Sequence, residues 1–174
     1  MGLDMYMEKG KKIPKISWEE YSKINEEIND NNELKEKYKE YIVTNGDEKY
    51  YSWQSLYKEV GYWRKANAIH KWFVANVQNG VDDCNKYLLT RKNLEDLFNI
   101  CDKVLKSMEL VDGKVIKDTS TAEELLPTQS GFFFGDTEYD EWYYNKIEYT
   151  YDLLKDLLEN FDFENNYLIY QSSW

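Results

Sequence analysis

Residues 59–77, EVGYWRKANAIHKWFVANV, decide how the rest of the chain is read. Stepped at about 100° per residue, Tyr62, Trp63, Ala66, Ile69, Phe73, Val74 and Val77 fall within one arc of roughly 120°. The spacing predicts one amphipathic helix, near 56–78, that buries this arc at the centre of the domain. His70, the only histidine in the chain, lies near the middle of the arc. Glu59 points to the same face about three turns earlier. Arg64, Asn67 and Lys71, at i, i+3 and i+7, line one edge. An apolar face thus carries a histidine flanked by a guanidinium, an amide and an ammonium. Gly61 weakens the pattern by about 1 kcal/mol of propensity, and Asn79-Gly80 stops it.

Other segments read as cover for this helix. Leu3–Met7 alternates apolar and polar residues, the period of a strand. Ser17 to Glu20 has capping-box spacing and opens a helix from Trp18 to about Tyr41, in which Asn29–Asn32, weak helix formers, are a candidate break. Its inner face is Trp18, Tyr21, Ile24 or Ile28, Leu34 and Tyr38. This charged stretch, 17–45, is a candidate surface insertion. Asn45-Gly46-Asp47 signals a turn, Tyr50–Trp53 is a short strand or a lead into the next helix, and Ser52 or Ser55 is a candidate cap. Thr90 caps a helix from Arg91 to about Met108, with an unbroken stripe from Leu94 through Cys101 to Met108. Leu110–Lys117 has the Asp112-Gly113 pattern of a hairpin. Thr121–Leu126 is a short helix that Pro127 ends. Thr137 and Asp140 cap a helix starting near Glu138. Tyr167–Tyr170 reads as a closing strand, followed by a tail. The expected class is α+β: about four helices and a small sheet of short strands, in one domain over 1–174.

Composition bounds the function. The 174 residues are 42% apolar and hold 16 Tyr, 7 Phe and 6 Trp. That suffices for one ring-rich core. A formal net charge of −11 argues against direct nucleic-acid or anionic-membrane binding, which need a basic footprint. No apolar run spans a bilayer. Cys84 and Cys101, with one histidine, do not make the usual four-ligand zinc site. Neither a metal nor a cofactor is expected, and the thiols fit a reducing cytoplasm.

Two stretches offer chemistry. His70 is either a neutral core histidine or an acid, base or ligand. Arg64, Asn67 and Lys71 are either a solvated helix edge or a grip for phosphate or carboxylate. The second stretch is 127–144, PTQSGFFFGDTEYDEWYY. Gln129, Ser130 and the loop from Gly131 to Gly135 either offer N–H groups to an anion, without matching a known phosphate loop, or form a strand and turn that buries Phe132 and Phe134, or Phe133 alone, the reading favoured for the phenylalanines. Tyr139 joins them as a candidate ligand contact. The carboxylates Asp4, Glu59, Asp136, Glu138, Asp140 and Glu141 fall into no convincing DxD, ExxE or HExxH arrangement. The central helix and the 127–144 stretch are expected to meet, with His70 near Gln129 or Tyr139, because buried polar groups must find partners.

MGLDMY, EVGYWRKANAIHKWFV and ELLPTQSGFFFGDTEYDEWYY, with the ending YQSSW, together resemble a small uncharacterised family encoded by phages, prophages and bacteria. The blocks cover roughly a quarter to a third of the chain and carry no activity or catalytic residue with them. The resemblance implies a mobile-element protein acting in the cytoplasm of a bacterial host. The expected function is noncatalytic binding in counter-defence: inhibiting a host defence protein, or sequestering a small nucleotide-like signal. Two alternatives stand beside it. One is a small enzyme on a nucleotide or phosphorylated substrate, with His70 as general base and Arg64 or Lys71 as electrophile. The other is a structural or assembly factor.

Overall fold

The computed structural model describes residues 2–12, 17–39, 42–45, 48–51, 58–108, 110–111, 115–116 and 118–174. Among the expected features, Pro14, Gly46-Asp47, Ser52, Ser55 and Asp112-Gly113 lie outside them. The described elements, in chain order, are β1 (Asp4–Lys11), α1 (Trp18–Glu27), α2 (Asn32–Lys37), β2 (Ile42–Asn45) and β3 (Glu48–Tyr51). Then come β4 (Lys58–Arg64), α3 (Asn67–Asn76), β5 (Tyr87–Leu89), α4 (Arg91–Ser107), β6 (Leu110–Val111) and β7 (Val115–Ile116). The chain closes with α5 (Ser120–Leu125), α6 (Glu141–Asn160) and β8 (Asn166–Ser173). The fold is α+β. Its main sheet is antiparallel, in the order β4-β1-β8-β5, and β2-β3 and β6-β7 are separate two-stranded pairs.

The expected central helix over 56–78 does not form as one element: residues 58–64 are a strand, and the helix starts at Asn67. Both periods fit the apolar residues of this stretch, and tertiary pairing selects the strand. Gly61 and Trp63 face inward while Tyr62 is half-buried, a two-residue alternation. Met5 lies opposite Trp63 and Tyr6 opposite Tyr62 in the β1–β4 ladder. Valine, tyrosine and tryptophan suit that surface better than a helix interior. Gly61 lets α6 approach closely: a Cβ there would sit 2.4 Å from Leu153 Cδ2, so the leucine methyl would have to move aside. The chain then turns at Lys65, whose φ is 55°, a left-handed value that interrupts any continuous helix. Arg64, Asn67 and Lys71 therefore share no helical ridge, and Glu59 stands exposed on β4.

The other expected elements differ mainly at their ends. The first helix splits into α1 and α2 at residues 28–31, and Ser17 caps it through Glu20 N–H at 3.1 Å. Ile24, Ile28 and Tyr38 form a cluster of their own, apart from the main core. Thr90 and Asn93 make a full capping box on α4. The last helix begins at Glu141, three residues later than Glu138, because Asp140 rather than Thr137 accepts the capping N–H, from Tyr143. The expected tail, 171–173, continues β8 against β1.

The main core lies between the sheet and the helices. Leu3, Met5 and Met7 from β1 and its approach meet Leu168 and Tyr170 from β8 and Ile69 and Phe73 from α3. Trp63 is buried, and its Nε1–H donates to Thr150 Oγ1 at 2.8 Å, tying β4 to α6. Phe98, half-buried, stacks on Tyr151 at 4.7 Å between α4 and α6. No described helix is long and apolar enough to cross a membrane.

Candidate functional site

The turn from β4 into α3 forms one wall of a cleft of about 470 Å³. Arg64, Lys65 and Ala66 line it, followed by the first turn of α3 at Asn67, Ala68 and Ile69. Thr128, Gly135, Asp136 and Glu138 form the opposite wall, and Trp142, Tyr143, Lys146 and Ile147 of α6 complete it. The N-cap of α3 is Ala66, which has no side chain to satisfy the first-turn N–H groups. The positive end of the α3 dipole therefore opens into the cleft.

Lysines add to that field. Lys146, half-buried, donates from Nζ to Arg64 O at 2.7 Å. Burial holds its pKa below the ordinary lysine value; Asp136 and Asp140 oppose that, and neighbouring Lys65 adds to it. Lys65 lays its stem across Gly135, where a Cβ would come within 3.2 Å of the Lys65 Cβ. Gly135 also has φ +87°, which other residues resist. Arg64 Nη1 stands 3.8 Å from Asp4 Oδ1, a loose and mostly exposed contact. Among the described residues, neither Lys65 nor Lys146 forms an ion pair. Lys65, Lys146 and the uncapped end of α3 thus bring positive charge to one side of a cleft that Asp136 and Glu138 also line.

Asn67 fixes the far wall. Its Nδ2 donates to Phe134 O at 3.1 Å and Asp136 O at 2.8 Å, and its Oδ1 accepts from Gln129 N–H at 3.1 Å. One buried amide therefore holds both ends of the Gly-Phe loop against α3, and the two sequence blocks meet. Phe134 also packs edge-on to the His70 ring at 5.3 Å. Tyr139 contributes to the loop rather than the cleft: its hydroxyl accepts from Thr128 N–H at 3.2 Å and its ring meets Tyr143. Ser130 is exposed and Lys71 half-buried, and neither lines the cleft. Of the residues singled out by sequence, Arg64, Asn67, Gly135, Asp136 and Glu138 line it, and Gln129 is bonded to Asn67 behind it.

His70 is fully buried and does not line the cleft. Its Nε2–H donates to Asp82 Oδ1 at 3.0 Å, since a carboxylate only accepts. Its Nδ1 then accepts from Tyr170 O–H at 2.8 Å. Trp174 Nε1–H also reaches Asp82 Oδ1, at 3.2 Å. Asp82 and Tyr170, not Gln129 or Tyr139, are thus the partners of the imidazole. The arrangement joins α3 to β8 and to the loop that follows α3. Helical spacing carries no signal for it, because Asp82 lies beyond the end of α3 and Tyr170 is 100 residues from His70.

Burial pushes the His70 pKa below its ordinary 6.5, and Asp82 only partly offsets that. Below pH 6.5 the unfolded chain takes up this proton before the folded one. Folding stability from this group is therefore complete above about 6.5 and falls as pH drops toward the lowered folded value, by at most about 1.4 kcal/mol per pH unit. Denaturant midpoints between pH 7.5 and 5 should show this loss, and His70→Gln should flatten it. An unchanged slope in that variant would exclude His70 as the titrating group.

The residues missed by sequence are Lys65, Lys146 and Trp142; Asp136 and Glu138 stood among undistinguished carboxylates. Among the described residues no group of three or more His, Cys, Asp or Glu gathers as for a metal ion. Compared with protein-family models, with curated proteins and with solved structures, the chain matches none.

Proposed function

We propose that the chain is a noncatalytic binding protein of phage or prophage type, which sequesters a small phosphorylated, nucleotide-like ligand in the cleft at the N-terminus of α3. The observation that carries this reading is the convergence of Lys65, Lys146 and Arg64 on an uncapped helix end in a cavity of about 470 Å³. That volume suits a small ligand. Phosphate matches both the charge and the free N–H groups. Counter-defence is the role such a protein would serve in a host cell that signals with nucleotides.

The noncatalytic reading is supported by the position of His70. Both ring nitrogens are engaged, and the ring is sealed away from the cleft that Arg64 lines. A general base needs hydrogen-bond reach to its substrate. A formed cleft also weighs against a purely structural factor. Inhibition of a host protein stays as a second reading on one observation. Phe132 is 96% exposed in a stretch bearing Asp136, Glu138, Asp140 and Glu141, which suits an apolar pocket on a basic partner.

Thermal denaturation with a panel of nucleotides tests the first reading. A true ligand at one hundred times its Kd should stabilise by about 2.7 kcal/mol, roughly 5–11 °C for a chain of this size. Lys65→Gln/Lys146→Gln should abolish the shift while leaving the unliganded melting temperature nearly unchanged. A panel that shifts nothing, or a shift that survives the double variant, would sink the proposal.

A further inference from the structure

We infer, resting on the reading above, that the ligand is a ribonucleotide, with its phosphate at the α3 end, its sugar hydroxyls on Asp136 and Glu138, and its base against Trp142. The cleft carries two sets of opposite charge. Lys65 and Lys146 form one, and the carboxylates of Asp136 and Glu138 the other. Among the described residues no ion pair joins the two sets. Asp136 Oδ1 instead accepts the Glu138 N–H at 3.2 Å, which leaves the Glu138 carboxylate and one Asp136 oxygen open.

A bare anion satisfies only half of such a cavity, because the carboxylates repel it. A cation fails against the lysines and the helix end. The complementary molecule carries an anionic group and, within the same cavity, O–H or N–H donors, since a carboxylate only accepts. A ribose presents two neighbouring hydroxyl donors beyond a phosphate. The third part of the match is Trp142. Its side chain is 69% exposed yet borders the cavity, so it offers a flat face to a base, which stacks on aromatic rings without regard to sequence.

The experiment is calorimetric titration of the full chain with ribonucleoside 5′-monophosphates, their 2′,3′-dideoxy counterparts and inorganic phosphate. The ribonucleotide should bind about tenfold more tightly than its dideoxy counterpart, the scale of one or two hydrogen bonds to charged acceptors. Asp136→Asn/Glu138→Gln should erase that ratio, and Trp142→Ala should weaken nucleotides but not inorganic phosphate. Equal affinity for ribo and dideoxy forms, both weakened by Lys146→Gln, would overturn this inference and leave the phosphorylated-ligand reading standing. A ratio that persists in the double variant would overturn the hydroxyl assignment, and full nucleotide affinity in Trp142→Ala the base assignment. Failure of every phosphorylated compound to bind would overturn both the inference and the reading beneath it.

Discussion

Phe73→Ala is expected to destabilise the protein by about 3–5 kcal/mol, measured by chemical denaturation. The ring is 1% exposed and lies parallel to the Tyr170 ring, 3.9 Å between centroids. The edges of Trp72 and Trp63 meet it at 5.3 and 6.2 Å. Such contacts add to the transfer energy of the ring itself. Its neighbours cannot close over the gap. Tyr170 is held by its hydrogen bond to His70, and Trp63 by its bond to Thr150. A cavity that cannot collapse sits at the costly end of the range. The stack also joins α3 to β8, so the loss should fall on global unfolding rather than on local fraying. A loss below about 1 kcal/mol would mean that α3 is held to the sheet by something other than this stack.

Local signals in the sequence are reproduced by the fold where they need no distant partner. The α4 stripe, the Thr90 cap and the break between α1 and α2 are of this kind. The stretch 59–77 failed for the opposite reason. Its first half has no structure of its own to prefer. Pairing with β1 and the insertion of Leu153 beside Gly61 choose the strand, and both partners lie far away in sequence. The candidate site was legible to the same extent. Arg64 and Asn67 stood out because charge and amide sat beside an apolar run. Lys146 and Trp142 looked like ordinary surface residues of α6, and only folding brings them across from Lys65. His70 was conspicuous by composition, yet its role depends on Asp82 and Tyr170, which no periodicity connects to it.

Asn67→Ala should separate the shape of the cleft from its charge. The side chain is 5% exposed and makes three hydrogen bonds to the backbone of the 129–136 loop. Alanine removes all three at once and leaves Phe134 O, Asp136 O and Gln129 N–H without that partner. A buried group left unpaired costs about 1–3 kcal/mol. Phe134 is buried, whereas water reaches Gln129 and Asp136 more easily, so the expected total is roughly 2–4 kcal/mol. Helix propensity offsets little of this, because position 67 is only the first residue of α3. The functional effect should exceed the stability effect. Without the amide, the wall carrying Thr128, Gly135, Asp136 and Glu138 is no longer fixed against the α3 terminus, although Lys65 and Lys146 remain. Ligand-induced thermal stabilisation should then vanish in Asn67→Ala at temperatures where the protein is still folded. The comparison with Lys146→Gln is decisive, since that change removes charge and keeps the wall. If Asn67→Ala loses stability but binds the same ligand as tightly as the unaltered protein, the loop is not a wall of the site and the cleft must bind through α3 and α6 alone.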